Sequence, residues 1–190
     1  NAGVFSVNNQ GPASGMNLGQ TELFFSRRIG ISDVGTPIPI LGGALLSGKV
    51  TDTVTVGFLN MQTDTLDGVA QANNFTAARL RRDLPNRSSV GGLFVNRQGT
   101  GSLAPANDYN RTYAVDGRWG IGQNGLVQGF VGRTETPGRT GRDHALSVSS
   151  RYDSEAWRLI GGYQENGEDF NPEVVFLPVR RAPGTQHSTK

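Results

Sequence analysis

The chain contains no cysteine and only two histidines, His144 and His187, in 190 residues. Without cysteine there are no disulfides, no thiolate nucleophile and no cysteine-ligated metal. The histidines are 43 positions apart and lack partners at metal-ligand spacing, so neither a metal centre nor any other cofactor is expected. Long apolar runs are also missing. Only 35% of residues are hydrophobic and no stretch approaches the roughly 18 to 20 residues of a membrane-spanning helix. A transmembrane β-barrel survives that test, because its strands alternate and never look hydrophobic overall. Charge of one sign is scarce too. The net charge of +2 is spread along the chain, with no basic stripe interleaved with aromatics, so nucleic acid is not an expected partner. The first residues, NAGVFSVNNQ, carry neither an initiator Met nor signal-peptide regions, which reads as a processed chain or a fragment.

What the sequence does have is glycine (27 residues) and a period of two. In RTYAVDGRWGI, Tyr113, Val115, Gly117 and Trp119 alternate with Thr112, Ala114, Asp116 and Arg118. In HALSVSSRY, Leu146, Val148 and Tyr152 oppose Ala145, Ser147, Ser149 and Arg151. In AWRLIGGY, Trp157, Leu159 and Tyr163 oppose Ala156, Arg158 and Gly162, although Ile160 breaks the rule. This alternation predicts strands with one apolar face and one polar or small face. They are expected near 42–50, 53–61, 74–82, 88–96, 111–120, 125–134, 144–152, 155–163 and 168–177. The connections at 51–52, 84–87, 122–124 and 153–154 are short, and those at 62–73, 97–110 and 135–143 are long. Alternating short and long loops put tight turns at one end of an antiparallel meander, as in outer-membrane barrels. The fold class expected is therefore all-β: an up-and-down antiparallel meander of about nine strands, as an open curved sheet or a partial or small barrel. Residues 1–20 form an extended N-terminal arm, 21–178 the sheet domain and 179–190 a polar tail.

One segment imitates a cofactor motif. GIGQNG, Gly120–Gly125, spells the G-x-G-x-x-G of a dinucleotide loop. That loop must follow a strand and open a helix. Here LVQGFVGRTET follows, which reads as another strand, and Asn124-Gly125 suits a tight hairpin with both residues at positive φ. A turn is expected, and no nucleotide. No G-x-S-x-G elbow provides an acyl-transfer nucleophile. Nearly all aspartates fall in turns. Asp116 lies within a strand, two residues before Arg118 on the same face, and a charge pair satisfying a polar interior is expected there rather than catalysis. Arg79 and Arg81 share a face in the same way. The sequons NFT, NRS and NRT read as chance in so Asn-, Ser- and Thr-rich a chain.

The segments TELFFSRRIG, IPILGGALLSGKV, VGFLNMQTD, ANNFTAARLRRDL and VGGLFVNRQ occur in this order, with DFNPEVVFLPVRR near the end. Together they resemble the C-terminal β-barrel region of a family of bacterial envelope proteins of unassigned function. In that family a carbohydrate-binding-like sandwich precedes a long outer-membrane-type barrel. The resemblance spans residues 20–181, departs at Val175, where Gly is usual, and covers only the first part of the barrel. It implies a location in the Gram-negative cell envelope, at the periplasmic face or the outer membrane, and no catalytic residues.

These readings lead to a first expectation of a non-catalytic structural subunit, docked on other protein subunits of a membrane-associated assembly, with possible membrane contact. Tyr113, Trp119, Trp157 and Tyr163 would form its docking or core face, and Asp116, Arg118, Arg133, Arg151 and Arg158 its polar face. The alternative is an outer-membrane barrel of pore or transport type, or a piece of one, with those arginines lining the lumen. A glycan-related enzyme or binder is the weaker alternative.

Overall fold

The computed structural model describes residues 2–7, 23–24, 29–32, 35–101 and 104–173. It is one antiparallel sheet of eight strands in sequence order. The strands are β1 (Ile40–Lys49), β2 (Val54–Thr63), β3 (Asn73–Leu84), β4 (Ser88–Gly99), β5 (Tyr109–Ile121), β6 (Gly125–Glu135), β7 (His144–Asp153) and β8 (Arg158–Asn166). Each pairs only with its sequence neighbours, so the sheet is open, with β1 and β8 as its edges. The arm, the tail and residues 174–177 of the expected ninth strand lie largely outside the described residues.

Tight turns stand at one end, between β1 and β2, β3 and β4, β5 and β6, and β7 and β8; the long loops 64–72, 100–108 and 136–143 stand at the other. Two local expectations need correction. Residues 168–173 are not a strand: Gly167 accepts from the Phe170 amide at 3.1 Å, and the chain turns back over the sheet instead of extending it. β8 begins at Arg158 rather than 155, because the Ser154 hydroxyl accepts from the Trp157 amide (3.0 Å) and closes a turn.

GIGQNG is the β5–β6 hairpin, and a strand follows it. Its left-handed residue is Gly122 (φ 56°), not the Asn124-Gly125 pair. Gly125 already opens β6 opposite Ile121, where a Cβ would stand 2.9 Å from the Ile121 carbonyl oxygen. Glycine is needed there for close approach. The neighbouring β3–β4 turn places Asn86 and Arg87 at positive φ (58° and 59°). Asn tolerates this, whereas Arg87 is strained. Its guanidinium donates to the Gly122 and Gln123 carbonyls (2.9 and 3.0 Å), tying the two hairpins together.

The hydrophobic core lies on one face only. Leu59, Ala77, Leu93, Val95, Ala114, Phe130 and Ala145 point to it from β2 to β7. Across that face pack residues that precede the sheet: Phe5 and Val7, beside a 3-10 turn (Ala2–Phe5), and Leu23 and Ile29. Phe170 closes it from the other terminus of the sheet. Gly57 is the seat of the first segment. A Cβ there would stand 2.7 Å from Val4 Cγ1 and 3.1 Å from Phe5 Cζ.

Candidate functional site: the two faces of the sheet

Opposed residues of antiparallel strands point to the same side, so the pairing register sorts every side chain between an inner face, carrying the core, and an outer face. Along β5, Tyr113, Val115, Trp119 and Ile121 point outward and all are exposed; Asn110, Thr112, Ala114 and Asp116 point inward and are buried. Of the expected aromatic face, Tyr113, Trp119 and Tyr163 stand outward on the strands, and Trp157 lies in the β7–β8 turn. All four are open to solvent, Trp119 at 61% and Trp157 at 69%, so they form no part of the core.

The outer face is apolar in the middle and polar toward the long loops. On β2 the outward series is Phe58, Val56, Val54, with Asn60 above. On β3 it is Ala78 and Leu80, with Thr76 above and Arg82 below; on β8 it is Tyr163, Gly161, Leu159, with Glu165 above. From β2 to β5 the upper boundary follows one hydrogen-bonded row, Phe58, Ala78, Phe94 and Tyr113; it steps toward the tight turns on β6, where Arg133 stands above Val131, and again on β8, where Glu165 stands above Tyr163. The row Val54, Arg82, Val90, Gly117, Gly129, Val148, Tyr163 is interrupted by Arg82 on β3, crosses the middle of the band on β5 and reaches its upper edge on β8. A level apolar belt crossed by tilted strands has this displacement. Tyr113 to Ile121 spans about 26 Å along the strand at the usual rise. Aromatic residues sit at both margins, with Phe58, Phe94, Tyr113 and Tyr163 toward the long loops and Trp119, Tyr152 and Trp157 toward the tight turns. A groove of about 760 Å³ opens on this face where Gly92 and Ala78 leave room between Leu80, Phe94, Tyr113 and Val115.

The inner face holds a buried ion pair. Arg79 and Asp116 form an ion pair with side chains 1% and 0% exposed. The pair spans β4, with the guanidinium lying over Gly91, where a Cβ would stand 2.6 Å from Arg79 Nη1. Among the described residues Asp116 therefore pairs with Arg79, two strands away, and not with its neighbour Arg118. Toward the tight turns, Arg81 pairs with Asp83 at 3.0 Å, and Arg151 and Arg158 share Asp153. Arg118 also points inward. Arg133 does not join this face: it opposes Tyr113 and His144 on the outer side and pairs with Asp143 at 2.9 Å.

A second polar group stands at the long-loop end. Arg97 donates to Asp108 (2.6 Å) and to Glu173 (2.5 Å). Asn110 Nδ2 donates to the Asn171 carbonyl (2.8 Å), its Oδ1 accepts from the Glu173 amide (3.3 Å), and the Asn171 amide donates to Thr134 Oγ1 (3.0 Å). These bonds fasten the strap 169–173 over the ends of β4, β5 and β6. The hydrogen bond from Arg97 holds the Asp108 carboxyl below its ordinary value. Sequence reasoning missed Arg97, Asp108, Asn110 and Glu173 as a group, since only the register brings them together.

Among the described residues no three His, Asp or Glu side chains gather as a metal site. No family model, curated protein or solved structure matches the chain.

Proposed function

We propose that the eight strands are a run of wall in a membrane-spanning β-barrel of the bacterial envelope, with the outer face toward lipid. The observation that carries this reading is the outward apolar belt across β2–β8, bordered by aromatics, whose upper boundary steps across the hydrogen-bonded rows on β6 and β8. A soluble sheet has no reason to keep so many large apolar side chains in water, since each is worth about 1.5–3 kcal/mol when buried. An apolar outer belt around an inner face that carries the buried ion pair and most of the buried polar side chains suits a barrel in lipid, with the small core of this stretch formed where the inner face is filled. The segments around Phe5 and Leu23 fill the interior of this stretch, so the wall is plugged here rather than lining an open channel. The edges β1 and β8 pair with further strands of the wall, because an unpaired edge is prohibitive in hydrocarbon.

The only tryptophans, Trp119 and Trp157, lie outside the core and make the test direct. The chain is reconstituted into vesicles containing brominated lipids and tryptophan fluorescence is followed. The membrane reading expects strong quenching by bromines high on the acyl chains, near the interface, and weak quenching by aqueous iodide. Quenching by iodide alone would overturn it in favour of the docked subunit, whose outer face would cover another protein.

A further inference from the structure

One inner row of the sheet begins at Asp83 on β3, whose carboxylate Arg81 takes, and then carries hydrogen-bond donors on the next four strands. Ser89, Arg118, Gln128 and Ser149 are direct cross-strand partners on β4, β5, β6 and β7. Ser89, Gln128 and Ser149 are each at least nine-tenths buried. Among the described residues neither Arg118 Nε nor Gln128 Nε2 meets an acceptor, although both atoms are buried. Buried donors nearly always find an acceptor, and a charged one left without it is costly.

The surrounding charges sharpen the point. On the inner face of β3–β8, toward the tight turns, five arginines meet three aspartates. Arg79 uses Asp116, Arg81 uses Asp83, and Arg151 and Arg158 share Asp153. Arg118 stands in the middle of this excess with no ion pair to a described carboxylate. Strand spacing of about 4.8 Å brings the Arg118 and Gln128 side chains within reach of one small group. A guanidinium fork, an amide N–H and serine hydroxyls are the donor set that takes a tetrahedral or planar oxyanion.

We propose that this row is an oxyanion site. Arg118 supplies the charge, Gln128 a fixed N–H donor, and Ser89 and Ser149 flank them; the ligand is a phosphate, sulfate or carboxylate, free or as part of a larger solute. The site faces the interior and does not rest on the membrane reading, so each can fail alone. The test is isothermal titration of the full chain with phosphate, sulfate and acetate in separate arms at fixed ionic strength. Thermal unfolding is measured with and without each anion. Saturable millimolar binding of at least one anion is expected. It weakens about tenfold in Arg118→Gln, as for loss of one charge-assisted hydrogen bond, and by a smaller factor in Gln128→Leu, while Arg133→Gln leaves it unchanged. Without anion, Arg118→Gln unfolds at the same or a higher temperature, because it removes a charge that no described carboxylate pairs with. The arm that saturates identifies the anion. Absence of saturable binding in all three arms, equal binding by Arg118→Gln, or a fall in its anion-free unfolding temperature would each overturn the proposal.

Discussion

Gly91 and Asp116 show how much one position on the inner face can decide. The Arg79 guanidinium reaches Asp116 by lying over β4, and Gly91 leaves the space for it. Both side chains are fully buried, so removing Asp116 takes from the buried Arg79 guanidinium its described counter-charge, at a cost of about 3–5 kcal/mol. Asp116→Leu is expected to lower stability in denaturant melts by that amount. The double variant Arg79→Met with Asp116→Leu is expected to recover most of it, since a well-packed apolar pair replaces a buried ion pair at little loss. A double variant as unstable as the single one would contradict this account. Gly91→Ala acts on the same pair through its Cβ and is expected to destabilise in the same direction by a smaller amount.

At the scale of elements, two segments outside the strands hold the inner face closed. The first is seated on Gly57, where Val4 and Phe5 occupy the space a side chain would need. Gly57→Leu is expected to displace that segment and increase proteolytic cleavage near Phe5, with strand content by circular dichroism unchanged. The second is the strap 169–173, fastened through Arg97, Asp108 and Asn110. Because the folded Asp108 carboxyl lies below its ordinary value, its contribution is fully present above about pH 4 and is lost as pH falls through the folded value. Protection from hydrogen exchange at the Asn171 and Glu173 amides, relative to the intrinsic rate at each pH, is therefore expected to fall below about pH 4 before that of the sheet amides. Asp108→Asn should show the lower protection already at neutral pH.

For the whole molecule, the outer face decides between lipid and water. Val115 stands in the middle of the apolar belt and is 56% exposed. In water Val115→Arg would be close to neutral, as surface substitutions are. At the middle of a bilayer, arginine on the lipid face of a barrel costs about 2–4 kcal/mol. The variant is expected to lose that stability in lipid vesicles and little in a non-membrane buffer. Equal stability in both settings would oppose the membrane wall and favour the docked subunit.

The sequence by itself determined the period of two, the alternation of tight turns with long loops, and hence eight of the nine expected strands within a few residues. It also separated the faces of β5, β7 and β8, because alternation in an extended chain is a local property of the backbone. Local chemistry likewise identified GIGQNG as a hairpin, although which residue takes the left-handed conformation depended on how β5 and β6 pair. Tertiary structure alone decided the rest. Which face is buried depended on segments far away in the chain, around Phe5, Leu23 and Phe170, packing over the inner side. The pairing of Asp116 with Arg79 depended on the registers of β3, β4 and β5 together, and the Ser89–Arg118–Gln128–Ser149 row on those of β4 to β7. Register is fixed by turns and by packing between strands dozens of residues apart, so no reading along a single strand could have assembled those groups.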